Sequence, residues 1–246
     1  MRVLADSALS WSAGRLATPE TQTHWAYNAH GAAMKCYVES DGRIYLVRRD
    51  GLLDLPTPDE VPFSFDRVAP LLIGGEETWF CVPHLTEHPS HWPSKDEVDG
   101  LSDVAASVRV AVHATMPRVV VEGLCIEGET LLLVKGSRGL NDGRWSLPGG
   151  FLRFGETPED GVLREIREEV GAEARILRFA GVHGRLGQKT GLHWIMLFYR
   201  TALLGSPRPD PDEIAEARYV PLSEAPGMLH DPAMAEVVRR EAADGT

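Results

Sequence analysis

The residues best suited to chemistry lie in one stretch, GFLRFGETPEDGVLREIREEVGA, residues 150–172. Six of its 23 residues are acidic and three are arginine, and three acids, Glu165, Glu168 and Glu169, fall within five positions. The stretch reads as a helix: Thr157 suits the N-cap, Pro158 the first turn and Gly171 the end. At about 100° per residue, Val162, Leu163, Ile166 and Val170 share one arc, and the three glutamates share another. Like charges three and four residues apart repel by roughly 0.2–0.5 kcal/mol per pair. A solvated acidic face is the plain explanation for such a run. A hard divalent cation is the partner that turns the repulsion into affinity, because Mg²⁺ takes oxygen ligands.

The flanking residues favour the cation. Gly149 and Gly150 let the backbone pass close to a ligand. Glu156 precedes the helix, and Arg164 precedes the cluster as a fixed cation able to clamp Glu156 or Glu168. Gly150, Glu156, Arg164-Glu165, Ile166, Glu168-Glu169, Val170 and Gly171 fill the pattern G-x5-E-x7-R-E-U-x-E-E-x-G-U. Here U is a bulky aliphatic residue, and only Ala172 is smaller than usual. The stretch therefore resembles the Nudix box, a specific signal over 23 residues. The likeness covers roughly the second half of the chain.

The resemblance implies an α/β fold, an α/β/α sandwich with a mixed sheet, carrying the box as loop–helix–loop. It implies hydrolysis of a nucleoside diphosphate linked to another moiety. Glu165, Glu168 and Glu169 would hold Mg²⁺ or Mn²⁺ with the Gly150 carbonyl, and Arg164 and Glu156 would orient the carboxylates. Bound metal neutralises the pyrophosphate and acidifies a water, and a carboxylate takes the proton. In the family that base is a box glutamate or one from a distant loop. Glu213, in PDPDEIAEARYV, is the loop candidate, and Glu216 is the second.

Lys135, Arg138, Arg144, Arg185 and His193 surround the expected strands and are candidates to meet phosphates, though each taken singly suits a solvated surface. Trp145, Phe154, Trp194 and Tyr199 could stack on a base or fill the core. The Ser-Gln-Pro-Trp motif and four-cysteine zinc site of NADH pyrophosphatases are missing. PGGFLRFGE is similar to the approach to the box in ADP-ribose pyrophosphatase-like members, with Arg153 where many carry an acid.

Other elements must position these groups. The 246 residues suit one large domain or two modest ones. AMKCYVES and RIYLVRR read as strands joined at Asp41-Gly42, and RVAPLLI and TWFCVP as strands around Gly74-Gly75. LSDVAASVRVAVHAT, residues 101–115, reads as a helix with Ser102 as its cap. From Pro117 the pattern is strand, strand, box, two strands, a proline-rich loop, a short strand and a closing helix after Asp231. We expect an α+β N-terminal domain over 1–115 and the Nudix domain over 116–246. GRIYLVRRDGLLDLP weakly echoes GETLLLVKG…WSLP; a generic strand–loop–strand likeness explains this better than a degenerate copy of the second half, and a dimerisation or protein-binding module is a further reading of 1–115.

Composition narrows the partners. The net charge of −11 and the lack of a basic stripe argue against a nucleic-acid polymer and leave a small nucleotide-type substrate. No apolar run approaches a membrane span, and no signal peptide is expected. Three scattered cysteines suit a reducing cytoplasm, and a homodimer is compatible with the sequence. Cys81, His84, His88 and His91 are zinc-ligand types, but three prolines break their segment, which favours a His-rich loop. The competing reading of the whole is a Nudix-fold module that binds a nucleotide without cleaving it. Such modules tend to have eroded boxes, and this box is complete.

Overall fold

The computed structural model describes residues 34–138, 141–187 and 191–244. The chain divides into two compact units, meeting between Ala114 and Thr115. Among the described residues no helix is long and apolar enough to cross a membrane.

The first unit holds β1 (Lys35–Ser40), β2 (Arg43–Tyr45), β3 (Val47–Arg49), β4 (Leu52–Asp54), β5 (Phe65–Ile73), β6 (Glu76–Pro83) and α1 (Ala106–Thr115). Asp41 and Gly42 both take positive φ (50° and 71°), so the β1–β2 turn twists with its strands. RIYLVRR does not form one strand: it splits at Leu46, and β3 turns at Asp50-Gly51 into β4. The first helix starts at Ala106, so Ser102 is not its cap. The backbone before it is committed elsewhere: Leu53 N–H donates to Asp103 O, and Ala105 N–H donates to Leu53 O. Tyr37, Ile44, Leu71, Val108 and Val112 form the core between this helix and the sheet.

The second unit holds β7 (Arg118–Glu127), β8 (Thr130–Gly136), β9 (Trp145–Ser146), β10 (Gly149–Phe151), α2 (Pro158–Glu165), β11 (Ala174–Leu186), β12 (His193–Leu203), β13 (Ile214–Pro221), α3 (Ala225–Met228) and α4 (Pro232–Asp244). Its sheet runs β11-β12-β7-β8-β13 and is mixed, because β12 and β7 are parallel and their neighbours antiparallel. Strand alternation builds a core on each face. Val120, Leu124, Leu131, Leu133, Met196 and Phe198 pack against α4, while Val121, Cys125, Leu132, Val134 and Tyr199 pack against α2. Helices on both faces of one mixed sheet make the α/β/α sandwich.

The two sheets share a plan. In the first, β2-β1-β6-β5 has antiparallel, parallel and antiparallel neighbours. In the second, β8-β7-β12-β11 repeats that order and those senses. The first unit differs where the box would fall: between β4 and β5 it has only the 3₁₀ turn Pro58–Glu60.

The box helix is capped as its sequence dictates, with Thr157 Oγ1 accepting from Asp160 N–H. It does not stay α-helical. After Glu165 a π-helical turn, Ile166–Val170, carries the remaining glutamates before Gly171 ends it at φ 67°. A side chain at Gly171 would also run into the Arg208 carbonyl. Val162, Ile166 and Val170 are fully buried and hold this element to the sheet. Ile166→Ala is expected to cost about 2–5 kcal/mol and Ile166→Val about 0.5–1.5, read from urea unfolding of the full chain.

Candidate active site

Box helix, β10 and the loop between them bring the acids together around Arg164. Its Nε and Nη2 donate to the two oxygens of Glu156 at 2.7 and 2.9 Å. Its Nη1 donates to Glu165 at 2.6 Å and to Glu168 at 3.1 Å, and Nη2 also reaches the Phe151 carbonyl at 3.0 Å. These bonds to Arg164 hold the Glu156 carboxyl down to about 2, and Glu156 in turn holds the guanidinium above its ordinary value. Glu168 is the outermost acid and also receives Arg153 Nη2 on both oxygens, at 3.0 and 3.1 Å. The departure at Arg153 therefore adds a second cation to the cluster.

Glu165 and Glu169 face inward. A Cβ on Gly150 would stand 2.7 Å from the Glu165 carboxylate, so glycine is what lets the backbone lie against it. Burial raises the Glu165 carboxyl, against the pull of Arg164. Glu169 accepts the Gly149 N–H at 2.9 Å. Burial pushes it up to about 8, opposed by that bond and helped by the charges of Glu165, Glu213 and Glu168. The wheel placed all three glutamates on one arc. The π-helical turn instead leaves Glu168 outside with the arginines and Glu169 inside against β10.

Of these groups Glu169, Gly149 and Gly150 open onto a cavity of about 470 Å³ where β7 and β8 part beyond their hairpin end. Glu122, Gly149, Gly150, Glu169 and Glu213 line it, together with Arg138, Arg144 and Arg185. Arg138 pairs with Glu213, and Arg185 with Asp231. Phe151 and Trp194, 5.6 Å apart and tilted, form an aromatic wall.

Several candidates lie elsewhere. Neither Lys135 nor His193 is among the residues lining the cavity. Lys135 Nζ sits 5.9 Å from the Trp145 ring centroid, and His193 opens β12 opposite Leu186. Tyr199 is buried on the α2 face, where its hydroxyl donates to Glu159 at 3.1 Å. Phe154 is fully exposed, and Glu216 lies 3.8 Å from Arg218. In the first unit Cys81 is buried, His84 faces Asp66 and Ser64, and His88 faces Asp41.

Sequence reasoning passed over Glu122, Phe151 and Asp231. Glu122 had one visible signal, a lone acid in the apolar strand RVVVEGLCI. It is 4% exposed, and its Oε2 has no hydrogen-bond partner. Burial, then the charges of Glu169, Asp231 and Glu165, holds its carboxyl well above the usual range.

The donors suit a hard divalent cation. They are carboxylate oxygens, one of them an orphan, crowded so closely that burial and mutual repulsion raise three of them. Among the described residues no three His, Cys, Asp or Glu side chains already stand as a ligand group. Arg164, Arg153 and the Gly149 N–H engage the box glutamates instead.

Residues 116–240 match the family model of the NUDIX domain. An ADP-ribose pyrophosphatase of Methanocaldococcus jannaschii is 30% identical over 115 residues, covering 47% of this chain and 68% of that protein. A putative mutator protein MutT4 of Mycobacterium tuberculosis is 38% identical over 93 residues, covering 35% of this chain and 36% of that protein. The chain spans about half the length of other curated proteins that it matches. The crystal structure of a MutT NUDIX hydrolase from Burkholderia pseudomallei shares 29% identity, covers 50% of this chain and 97% of its own, and superposes with a TM-score of 0.45.

The raised Glu169 carboxyl has a measurable consequence in chelator. The folded chain keeps its proton up to about 8, whereas the ordinary value is 4.5. Between those values the folded state binds more protons than the unfolded, so stability falls as pH rises. Thermal unfolding of the metal-free chain should show the wild-type midpoint dropping more than that of Glu169→Gln over this range.

Proposed function

The chain belongs to the NUDIX domain family, and from that premise we propose that its second unit hydrolyses the pyrophosphate of a nucleoside diphosphate linked to another moiety, with ADP-ribose or a related nucleotide derivative as substrate. The observation that carries this reading is the placement of Glu165 and Glu169 against the Gly149-Gly150 backbone, beside a cavity that also holds three arginines. The name of the archaeal relative supports the ADP-ribose choice.

Glu165, Glu168, Glu169 and the Gly150 carbonyl would hold Mg²⁺ or Mn²⁺. Bound there, the ion would supply neutralisation of pyrophosphate charge and acidification of a water. The remaining work falls to the chain itself. Arg138, Arg144 and Arg185 line the cavity where phosphates would enter. Phe151 and Trp194 offer a flat apolar wall to a base. Arg164 fixes Glu165 and Glu168 in place while Glu156 fixes Arg164. Glu213 takes the proton of the attacking water once Arg138 turns to a phosphate. Water adds across the P–O–P bridge, the bridging bond breaks, and two phosphomonoesters leave.

We read the first unit as a second copy of the same strand plan without its box helix. Shared strand order and senses support this. It has no counterpart of the glutamate cluster between β4 and β5, so catalysis is assigned to the second unit alone.

A panel of ADP-ribose, NADH, diadenosine polyphosphates, nucleotide sugars, coenzyme A and oxidised nucleoside triphosphates, with Mg²⁺ or Mn²⁺, tests the reading. At least one should turn over, and Glu169→Gln and Glu168→Gln should lower kcat by about 10²-fold or more. Full activity in both variants would overturn the catalytic assignment. Tight nucleotide binding without turnover would select the sensor instead, a reading that the grip of Arg153 on Glu168 favours.

A further inference from the structure

Glu122 is a buried acid that the box does not account for. It sits on β7 directly opposite Gly149 of β10. Its Oε2 lies 2.6 Å from where a Gly149 side chain would begin. Glu169 approaches the same glycine from the box helix and accepts its N–H. Two carboxylates from separate elements therefore converge on one glycine at the floor of the cavity.

The surroundings define what Glu122 lacks. Its Oε2 is buried without a hydrogen-bond partner. A buried carboxylate in that state must either keep its proton or meet a cation. Nearby charges are acidic: Glu169, Asp231 and Glu165 all act on it. Two arginines lining the cavity are engaged by other acids, Arg138 by Glu213 and Arg185 by Asp231. A group that compensates several carboxylates at once in so small a space is a multivalent cation with oxygen preference.

We propose that Glu122 is a further ligand of the divalent cation held by Glu165 and Glu169, supplied by β7 and not by the box. The inference rests on the metal-dependent reading above and adds to it a ligand outside the motif. It makes β7 part of the metal centre, so that the splaying of β7 from β8 opens the cavity and presents a ligand to its floor.

Mn²⁺ binding to the full chain, read by loss of the free-ion electron paramagnetic resonance signal, tests this without a substrate. Wild type, Glu122→Gln, Glu122→Asp and the exposed control Glu236→Gln are compared. Wild type and the control should bind alike. Glu122→Gln should bind at least about tenfold more weakly or lose one ion, and Glu122→Asp should fall between. Thermal unfolding separates ligation from a structural role. Metal-free Glu122→Gln should be at least as stable as wild type, because no charge is buried, yet gain less on adding Mn²⁺. Unchanged Mn²⁺ affinity and stoichiometry in Glu122→Gln overturns the proposal while leaving the metal-dependent reading intact. Wild type that binds no Mn²⁺ overturns both.

Discussion

The second unit depends on one guanidinium. Arg164 is mostly buried, and it bonds to three carboxylates and a carbonyl at once. Without it, Glu156, Glu165 and Glu168 would repel across a few ångströms. With it, the loop before the helix is tied to the helix through Glu156, and β10 is tied to both through the Phe151 carbonyl. Charge-assisted bonds of this kind are short and directional. A planar fork can serve several acceptors where a point charge on a flexible stem cannot. The arginine thus sets the shape of the acid cluster before any ligand arrives.

That arrangement divides the acids by environment. Glu156 and Glu168 lie near cations and solvent, and Glu156 is strongly acidic. Glu165, Glu169 and Glu122 lie deeper, and all three are raised by burial first, with neighbouring carboxylates adding to it and Arg164 opposing it at Glu165. The division follows from the π-helical turn after Glu165, which sends Glu169 toward β10 while Glu168 stays outside. A glutamate cluster that looks uniform in sequence is therefore two groups in different surroundings, one against arginines and one against β10.

Much of this was legible beforehand. The box spacing gave the helix, its Thr157 cap, its Gly171 end and the association of Glu156 with Arg164, because these are local and depend on residue type at fixed offsets. The strands flanking the box were legible for the same reason. The start of α1 was not, because residues 103–105 spend their backbone bonds on β4, a partner about 50 residues away in sequence. RIYLVRR looked like one strand because its residue types suit one, but it splits at Leu46, where β2 stays paired with β1 and β3 goes on to pair with β4. Among the basic residues, charge could not separate Arg138, Arg144 and Arg185, which line the cavity, from Lys135, which lies over Trp145.

The sequence by itself determined the family, the mixed α/β fold and the identity of the box acids, since each is written in short-range spacing. The tertiary structure decided which of those acids face the cavity and which face the arginines. It also brought in Glu122 and Asp231 from outside the motif, and put Phe151, an unspecified position within it, on the cavity wall. Those three come from β7, the residue before α4 and β10, and they line one cavity where β7 and β8 part after two residue pairs. Local spacing carries no information about where a sheet will open, so the far wall of the site could be read only from the fold.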